Sequence, residues 1–429
     1  STDTVDWLVG AFYSNEDLDR NEAYRVGAAY EPYLSVALLG RINPILATSP
    51  TAPLFLSQAS GRPFGTVFLG HAAADTYEQN AKSFALFTNN TWHASDALDL
   101  TLGLRYTSED KSLSSHYTNP NGGLGCASML ANPAQVVAAL VARGLTVAQA
   151  SAAAPQVVGF SCLPWTNVRH NGRHTEQDMS EGEWSGTLKA AYRWNDHVMT
   201  YASAARGYKG GGFNLDRVQS NTGLSSGVSG IVPVDDTSFP AEFVDSYELG
   251  AKTTWLGGNL LLNATLFHQT YSDFQLNSFL GTSFVVRSIP TVTSRGFDAE
   301  VLYQNGGLFV QGGLTYAKTK YGDDLLPDPD LVLLPGSTAS FAPKWSATGA
   351  VGYEFDLGKN LVARMHVGAK YMSEYNTGSD LDPQKLQSGY TTVNAPDSIG
   401  GRDGHWAVEL WAQNLTDAEY MQDPLLQAF

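Results

Sequence analysis

Several features are scarce in this 429-residue chain, and each shortage excludes a class of protein. No run of about 18 apolar residues occurs, so the chain offers no segment for a transmembrane helix, and its mean hydropathy is slightly negative at −0.18. Lys and Arg number 26 against 42 Asp and Glu, which gives a formal charge of −16. Nucleic acid is therefore a poor partner, because binding phosphates needs clustered cations.

Cysteine is nearly absent. Cys126 and Cys162 are the only two, and both lie in the long connection 111–182. In an oxidising compartment they predict a disulfide within that connection, and the alternative is a pair of free thiols.

Recognisable catalytic and metal-binding motifs are also missing. The nine histidines are scattered without an HExxH pattern, and no convincing Ser/His/Asp order of a hydrolase triad is found. The glycine-rich run Gly210–Gly212 lacks the strand-then-helix setting of a phosphate loop. We therefore predict no catalytic residue, no metal site and no cofactor, and we do not expect an enzyme.

What the chain does have is a repeated alternation of apolar and polar residues with period two. In Asp99–Thr107, Leu100, Leu102 and Leu104 fall on one side and Arg105 on the other, which places them on opposite faces of a sheet. The pattern predicts thirteen strands: Val5–Tyr13, Ala81–His93, Leu98–Asp110, Glu183–Trp194, His197–Gly210, Val244–Leu256, Asn259–Gln275, Thr291–Gln304, Gly307–Tyr321, Lys344–Asp356, Asn360–Ser373, Gly389–Ala395 and His405–Leu415.

The connections between these strands alternate in length. Short turns such as Gly257-Gly258 separate six long excursions: Ser14–Asn80, Lys111–Gly182, Gly211–Phe243, Leu276–Pro290, Gly322–Pro343 and Glu374–Ser388. A bacterial outer-membrane barrel has short turns on one side of the membrane and long loops on the other. The sequence therefore predicts an all-β, antiparallel transmembrane β-barrel with long extracellular loops.

Proline and helix signals refine this prediction. All 19 prolines fall outside the predicted strands, which supports their placement because proline cannot donate to a ladder. Within the loop 111–182, Asn132 as a cap and Pro133 at the first position predict a short surface helix over Ala134–Arg143. A further turn or two of helix is expected at Ala148–Ala154.

Aromatic rings lie near the ends of the predicted strands: Trp92, Tyr192, Trp194, Trp255, Trp345, Phe355, Tyr371 and Trp406. Such positions are typical of the girdles that face lipid headgroups, where an amphipathic ring is half wet. The alternative is ordinary packing of rings in the core of a soluble sheet.

Four phrases of the sequence, in this order, resemble the TonB-dependent outer-membrane receptors. They are Tyr201–Asn214, Tyr247–Lys252 followed by Asn263–Phe267, Ser294–Glu300, and Asn414–Tyr420. The resemblance implies a 22-stranded barrel filled by an N-terminal plug. With about thirteen strands in residues 1–429, and nothing before Val5 that could form a plug, we expect a barrel fragment that lacks the plug and the terminal strand.

The resemblance also implies a function. It is active transport of a bulky nutrient, a ferric siderophore or similar metal chelate, across the outer membrane of a Gram-negative bacterium. The implied partners are that chelate, outer-membrane lipid and lipopolysaccharide, and TonB through the missing N-terminal region, with the receptor acting as a monomer. The alternatives are a passive porin, a barrel enzyme and a soluble β-rich binding module.

Six residues beside strand ends are predicted to contact the ligand: Arg206, Tyr208, Phe213, Asn214, Tyr271 and Phe274. Aromatic rings and a guanidinium can hold an anionic, ring-bearing chelate by cation–π contact and hydrogen bonds. The alternative for all six is loop packing and anchoring at the membrane interface.

Overall fold

The computed structural model describes residues 2, 4–220, 226–279, 284–326, 328 and 331–421. Thirteen antiparallel strands form one sheet, and each strand pairs with the next along the chain. The strands are β1 Val5–Val26, β2 Gly70–His93, β3 Leu98–Thr118, β4 Arg173–Asn195, β5 Val198–Lys209, β6 Glu242–Trp255, β7 Leu260–Phe279, β8 Phe284–Asn305, β9 Leu308–Tyr321, β10 Trp345–Asp356, β11 Leu361–Met372, β12 Tyr390–Gly401 and β13 Ala407–Ala412. β1 and β13 are the edges of this unclosed barrel. The predicted all-β antiparallel architecture is confirmed.

The first four strands are much longer than predicted. They run for 21 to 24 residues each, and β1 and β2 pair from Val5 opposite Trp92 to Val26 opposite Gly70. The predicted strand Val5–Tyr13 was too short because it stopped where the apolar alternation stops. Backbone pairing does not need that alternation, so the ladder continues through polar residues. The true connections are 27–69 and 119–172.

The predicted excursion Leu276–Pro290 is wrong. β7 continues to Phe279 and β8 begins at Phe284, so the two strands form an extended hairpin. At the C-terminal end of the sheet, β12 runs on to Gly401, whereas β13 is shorter than predicted.

Two prolines lie inside strands, contrary to the prediction. Pro290 falls at a break in the β7–β8 register, between Ile289 opposite Phe274 and Thr291 opposite Ser272. The β11–β12 register is interrupted around Pro396 in the same way. A proline costs no ladder hydrogen bond at such an irregularity, which explains why both are tolerated.

Two connections carry helices. They are α1 Tyr30–Ile42, α2 Pro44–Ala47 and α3 Phe55–Ser60 after β1, and α4 Leu124–Ala131, α5 Pro133–Val141 and α6 Val147–Ser161 after β3. Short 3₁₀ turns are found at Ala52–Leu54, Val168–His170, Leu256–Gly258 and Pro383–Lys385. The single predicted helix Ala134–Arg143 corresponds to α5, although the Asn132 side chain makes no capping bond. The expected turn at Ala148–Ala154 is part of the longer α6.

The six helices share one hydrophobic core. Leu39, Phe55, Met129 and Leu140 are each fully buried in it, and a disulfide joins Cys126 to Cys162 across α4 and the end of α6. The core explains why the helices form, because short helices need tertiary packing. Among the described residues no single helix is long and apolar enough to span a bilayer. The pair α4 and α5 passes that test only together, across an 89° bend.

The sheet has an apolar face and a polar face, as the alternation predicts. Directly opposed residues of neighbouring strands share a face, and the register sets Leu102 opposite Leu188 and Arg105 opposite Ser185. Leu102 and Leu188 are 55% and 58% exposed. Such exposure of leucine along a whole face is expected where the surrounding medium is lipid rather than water.

Rings bound the apolar band at both ends. On β2 the band runs from Phe84 to Trp92, eight steps that span about 26 Å along the strand. Tyr106 and Trp184 pack together at the long-loop end, with ring centroids 5.0 Å apart. Trp194 lies at the short-turn end, against Tyr192. The height agrees with the roughly 25 Å apolar band of outer-membrane barrels.

Candidate functional site

Residues 210–220, which follow β5, leave the sheet and cross the polar face of β3 and β4. We call them the crossing segment. The Lys111 ammonium donates to the Gly211 carbonyl at 2.6 Å, and the Gly211 amide donates to Glu181 at 2.9 Å. A Cβ at Gly211 would lie 2.5 Å from the Phe239 carbonyl oxygen, a backbone atom. Glycine at this position therefore allows the close approach.

Phe213 and Asn214 form the inner layer of this crossing segment. Phe213 is only 7% exposed and packs against Tyr77, Leu113 and Tyr117 on the polar face. Asn214 accepts from the Val286 amide at 2.7 Å and donates to the carbonyls of Thr237 and Val286. Both side chains act as packing and hydrogen-bonding elements in this conformation.

A buried ion pair fixes the segment a few residues further on. The Arg217 guanidinium donates to both oxygens of Asp75 at 2.6 Å, and neither side chain is more than 1% exposed. Its remaining donors reach Asn119 and the carbonyls of Thr118 and Pro164. Every polar atom of the guanidinium is thus satisfied, as a buried charge requires.

No pattern in the sequence indicates this pair. Asp75 lies in a polar stretch that was predicted to be loop, and Arg217 lies 142 residues away in another connection. Only the extension of β2 beyond the apolar band brings Asp75 under the crossing segment.

Two titratable groups beside the pair have shifted pKa values. Burial raises the pKa of the Asp216 carboxyl to about 6, and the Glu22 carboxylate adds to the shift. Burial, followed by the positive charges of Arg217 and Arg173, lowers the pKa of His170 to about 3. Neither ring nitrogen of His170 has a hydrogen-bond partner among the described residues, so the neutral imidazole is the form that fits here.

Arg206 and Tyr208 lie close in sequence but have different surroundings. Arg206 is on the apolar face, where it pairs with Asp245 at 3.1 Å and lies 4.6 Å from the Phe243 ring. The Tyr208 hydroxyl lies 3.1 Å from Glu181 and 3.2 Å from Glu109. Arg206 is therefore directed away from the crossing segment.

Tyr271 and Phe274 belong to a third location. Tyr271 lies opposite Val244, which places it on the polar face. Its ring meets that of Phe274 edge-on at 5.9 Å, and both pack against a cluster that includes Tyr321 and Leu334. The six predicted ligand residues are thus spread over both faces of the sheet rather than gathered in one site.

An open polar cleft of about 590 Å³ lies beside the crossing segment. Its lining includes Asn214, Gln219, Asp236, Thr237 and Arg287, which supply amide, carboxylate, hydroxyl and guanidinium groups. The volume falls in the range of small-molecule sites. No group of three or more His, Cys, Asp or Glu side chains that could hold a bare metal ion occurs among the described residues.

The unclosed sheet of thirteen strands, its apolar band and its folded-in loops define the chain as a transmembrane β-barrel of the outer-membrane type. A family model described as TonB dependent receptor-like, beta-barrel matches residues 52–415. The chain belongs to this family, which confirms the resemblance. Its members are receptors and transporters of the outer membrane of Gram-negative bacteria, not enzymes.

Solved structures show the same fold at low sequence identity. The ferric yersiniabactin uptake receptor FyuA from Yersinia pestis is 16% identical, with a TM-score of 0.64 over 99% of this chain and 48% of its own. The siderophore receptor PiuA from Acinetobacter baumannii is 13% identical, with a TM-score of 0.52 over 81% of this chain and 40% of its own. The ferric-catecholate import receptor Fiu from E. coli K12 is 16% identical, with a TM-score of 0.51 over 81% and 42%. This chain spans less than half the length of each.

Proposed function

We propose that the chain is part of an outer-membrane receptor that takes up a ferric siderophore or a similar metal chelate with energy supplied through TonB. The observation that carries the proposal is the family match over residues 52–415, which covers twelve complete strands of the sheet. The loops folded across the polar face support it, because a receptor needs loop surface that faces the inside of the barrel.

We propose the polar cleft as the surface that the ligand first contacts. Gln219, Asp236 and Arg287 line it. The Arg287 guanidinium lies 3.1 Å from the Asp328 carboxylate, and its remaining donors suit a carboxylate or catecholate oxygen of a chelate. Of the six residues predicted from sequence, Asn214 belongs to the cleft wall. Phe213, Tyr208, Tyr271 and Phe274 would hold the surrounding loops, while Arg206 would contact ligand only from the other face.

We further propose that the receptor resides in the outer membrane as a monomer. Its apolar face would contact lipid and lipopolysaccharide, and TonB would be its energy-coupling partner. Exposed leucines at positions such as Leu102 and Leu249 favour this placement over a soluble binding module.

Uptake of labelled iron tests the proposal. In a Gram-negative host that carries the complete gene, uptake of at least one ferric chelate should need both this gene and a functional TonB. Deletion of either should abolish it. Uptake that persists without TonB would identify a passive porin and would contradict the proposal.

A second arm of the same experiment tests the cleft. Combined Gln219→Ala and Arg287→Gln substitutions should weaken chelate binding by about tenfold, since each removes polar contacts. Asp178→Asn, on the opposite, apolar face of β4 and outside the cleft lining, is the matched control and should bind normally. Equal chelate affinity of the two variants would exclude the cleft as the ligand-binding surface. It would not contradict the transport proposal.

A further inference from the structure

An aromatic cluster marks the long-loop end of the apolar face on β8, β9 and β10. The rings of Phe297, Tyr316 and Trp345 pack with centroid distances of 6.1, 4.7 and 5.9 Å. Phe297 lies opposite Tyr316, which lies opposite Trp345, so all three share the apolar face. Rings at this level are typical of the lipid headgroup boundary.

Two cations follow on the same face, two residues closer to the loops. Arg295 lies directly opposite Lys318, and His268 lies opposite Arg295 on its other side. Two residues along a strand correspond to about 7 Å, so these groups lie just above the aromatic cluster. We call Arg295, Lys318 and His268 the basic row.

Among the described residues, neither permanent cation of the basic row has a carboxylate partner. Like charges directly opposed on neighbouring strands destabilise a sheet, yet neither Arg295 nor Lys318 forms an ion pair in the described part of the chain. Arg206 on the same face shows the contrast, because Asp245 neutralises it at 3.1 Å. Arg295 and His268 are exposed, and Lys318 is partly exposed.

We propose that the basic row binds a phosphate group of a phosphorylated glycolipid of the outer leaflet. A guanidinium can bind phosphate through two parallel hydrogen bonds, and the long Lys318 side chain can reach past the rings to a headgroup. The bound phosphate relieves the repulsion between the opposed cations. The inference rests on the proposed outer-membrane location, and it names one lipid contact of that surface.

Lipid binding to the purified full-length receptor in detergent tests the inference. A diphosphorylated lipid A should raise the melting temperature of the receptor, whereas its dephosphorylated form should not. Arg295→Gln combined with Lys318→Gln should weaken the apparent affinity for the phosphorylated lipid by about tenfold or more, because two charge-assisted bonds are lost. Arg193→Gln, at the short-turn end of β4 where Asp99 pairs with it at 2.6 Å, is the matched control and should stay within about twofold.

Two results would overturn the inference. One is equal affinity of the double variant and the native receptor for phosphorylated lipid. The other is equal stabilisation by inorganic phosphate at the same concentration, which would indicate a free-phosphate site. Without lipid, the double variant should melt at or above the native temperature, since repulsion is removed; a lower value would show that the pair serves structure only. Iron uptake does not enter these readouts, so failure here is separate from failure of the transport proposal.

Discussion

Arg217 and Arg206 lie in neighbouring parts of the chain, but on opposite faces of the sheet, and their surroundings differ in almost every respect. Arg217 is buried under loops on the polar face, with two bonds to Asp75 and three to other oxygens. Arg206 is 49% exposed by side chain on the apolar face, with Asp245 as its ion-pair partner. Arg217 is thus a buried charge that holds the loops in place, whereas Arg206 is an exposed charge that solvent or headgroups can contact.

Physical chemistry explains the difference. On the polar face the loops exclude water, so a charge is stable there only if each donor is bonded, and losing its partner is costly. On the apolar face above the aromatic rings, water and headgroups solvate a charge, so a pair contributes little and a lone cation is tolerated. The sheet can therefore carry rigid loops on its polar face and an accessible basic row on its apolar face. We call the loops 119–172 and 210–220 the loop assembly.

The largest expected effect comes from breaking the buried pair. Arg217→Met should destabilise the loop assembly by about 3–5 kcal/mol, because it leaves the Asp75 carboxylate buried without a partner. Hydrogen exchange of backbone amides in 119–172 and 210–220 would measure the loss, while amides in β9 to β11 serve as an internal reference. The double variant Arg217→Met with Asp75→Leu should recover much of the protection. Unchanged exchange in the single variant would show that the pair does not hold the loops.

An intermediate effect concerns pH. The raised pKa of Asp216 favours folding as the pH falls from about 6 towards 4, because the folded state binds the proton more tightly. The lowered pKa of His170 has the opposite sign, since the unfolded state takes up a proton below about 6.5. Each contributes about 1.4 kcal/mol per pH unit at most, so the two largely cancel between pH 4 and 6.

Single substitutions should expose the two opposing slopes. In His170→Gln, the protection of loop amides from hydrogen exchange should increase as the pH is lowered from 6 to 4. In Asp216→Asn, the same protection should decrease. Hydrogen exchange, corrected for the intrinsic pH dependence of amide exchange, measures both. Slopes of the same sign in the two variants would contradict the assignment of these groups.

The sequence predicted the apolar band well but not the parts of the fold beyond it. Alternation identified β3 and β4 wherever leucine and rings face lipid, because a one-residue shift would put Arg105 there. It failed for Ser14–Val26, where both faces of β1 are polar and no pattern marks a strand. It also missed α1, since the burial of Leu34 and Leu39 depends on helices far away in the sequence.

The candidate site was also hard to predict, because its contacts join residues that are far apart in the sequence. The position of Tyr208 and Phe213 beside a strand end predicts them as ligand contacts, and both lie on the crossing segment or next to it. Their neighbours, such as Glu109 and Tyr77, come from strands that are about 100 residues or more away. Arg287 lies in the cleft wall because the hairpin of β7 and β8 is longer than the alternation predicts. Such non-local contacts leave no periodic signal in the sequence.

The smallest expected effect is that of Arg206→Met, and it sharpens the comparison most directly. The substitution removes the same guanidinium as Arg217→Met, but Asp245 remains 41% exposed and solvated. The cost should be about 1 kcal/mol or less, including the contact with the Phe243 ring. A double-mutant cycle with Asp245→Asn, read by hydrogen exchange in β5 and β6, should give a coupling energy in the same range. A coupling as large as that of the Arg217 pair would mean that lipid or loops exclude water from Arg206 as well. Exposure in the structure would then be a poor guide to the strength of charge pairs on this face.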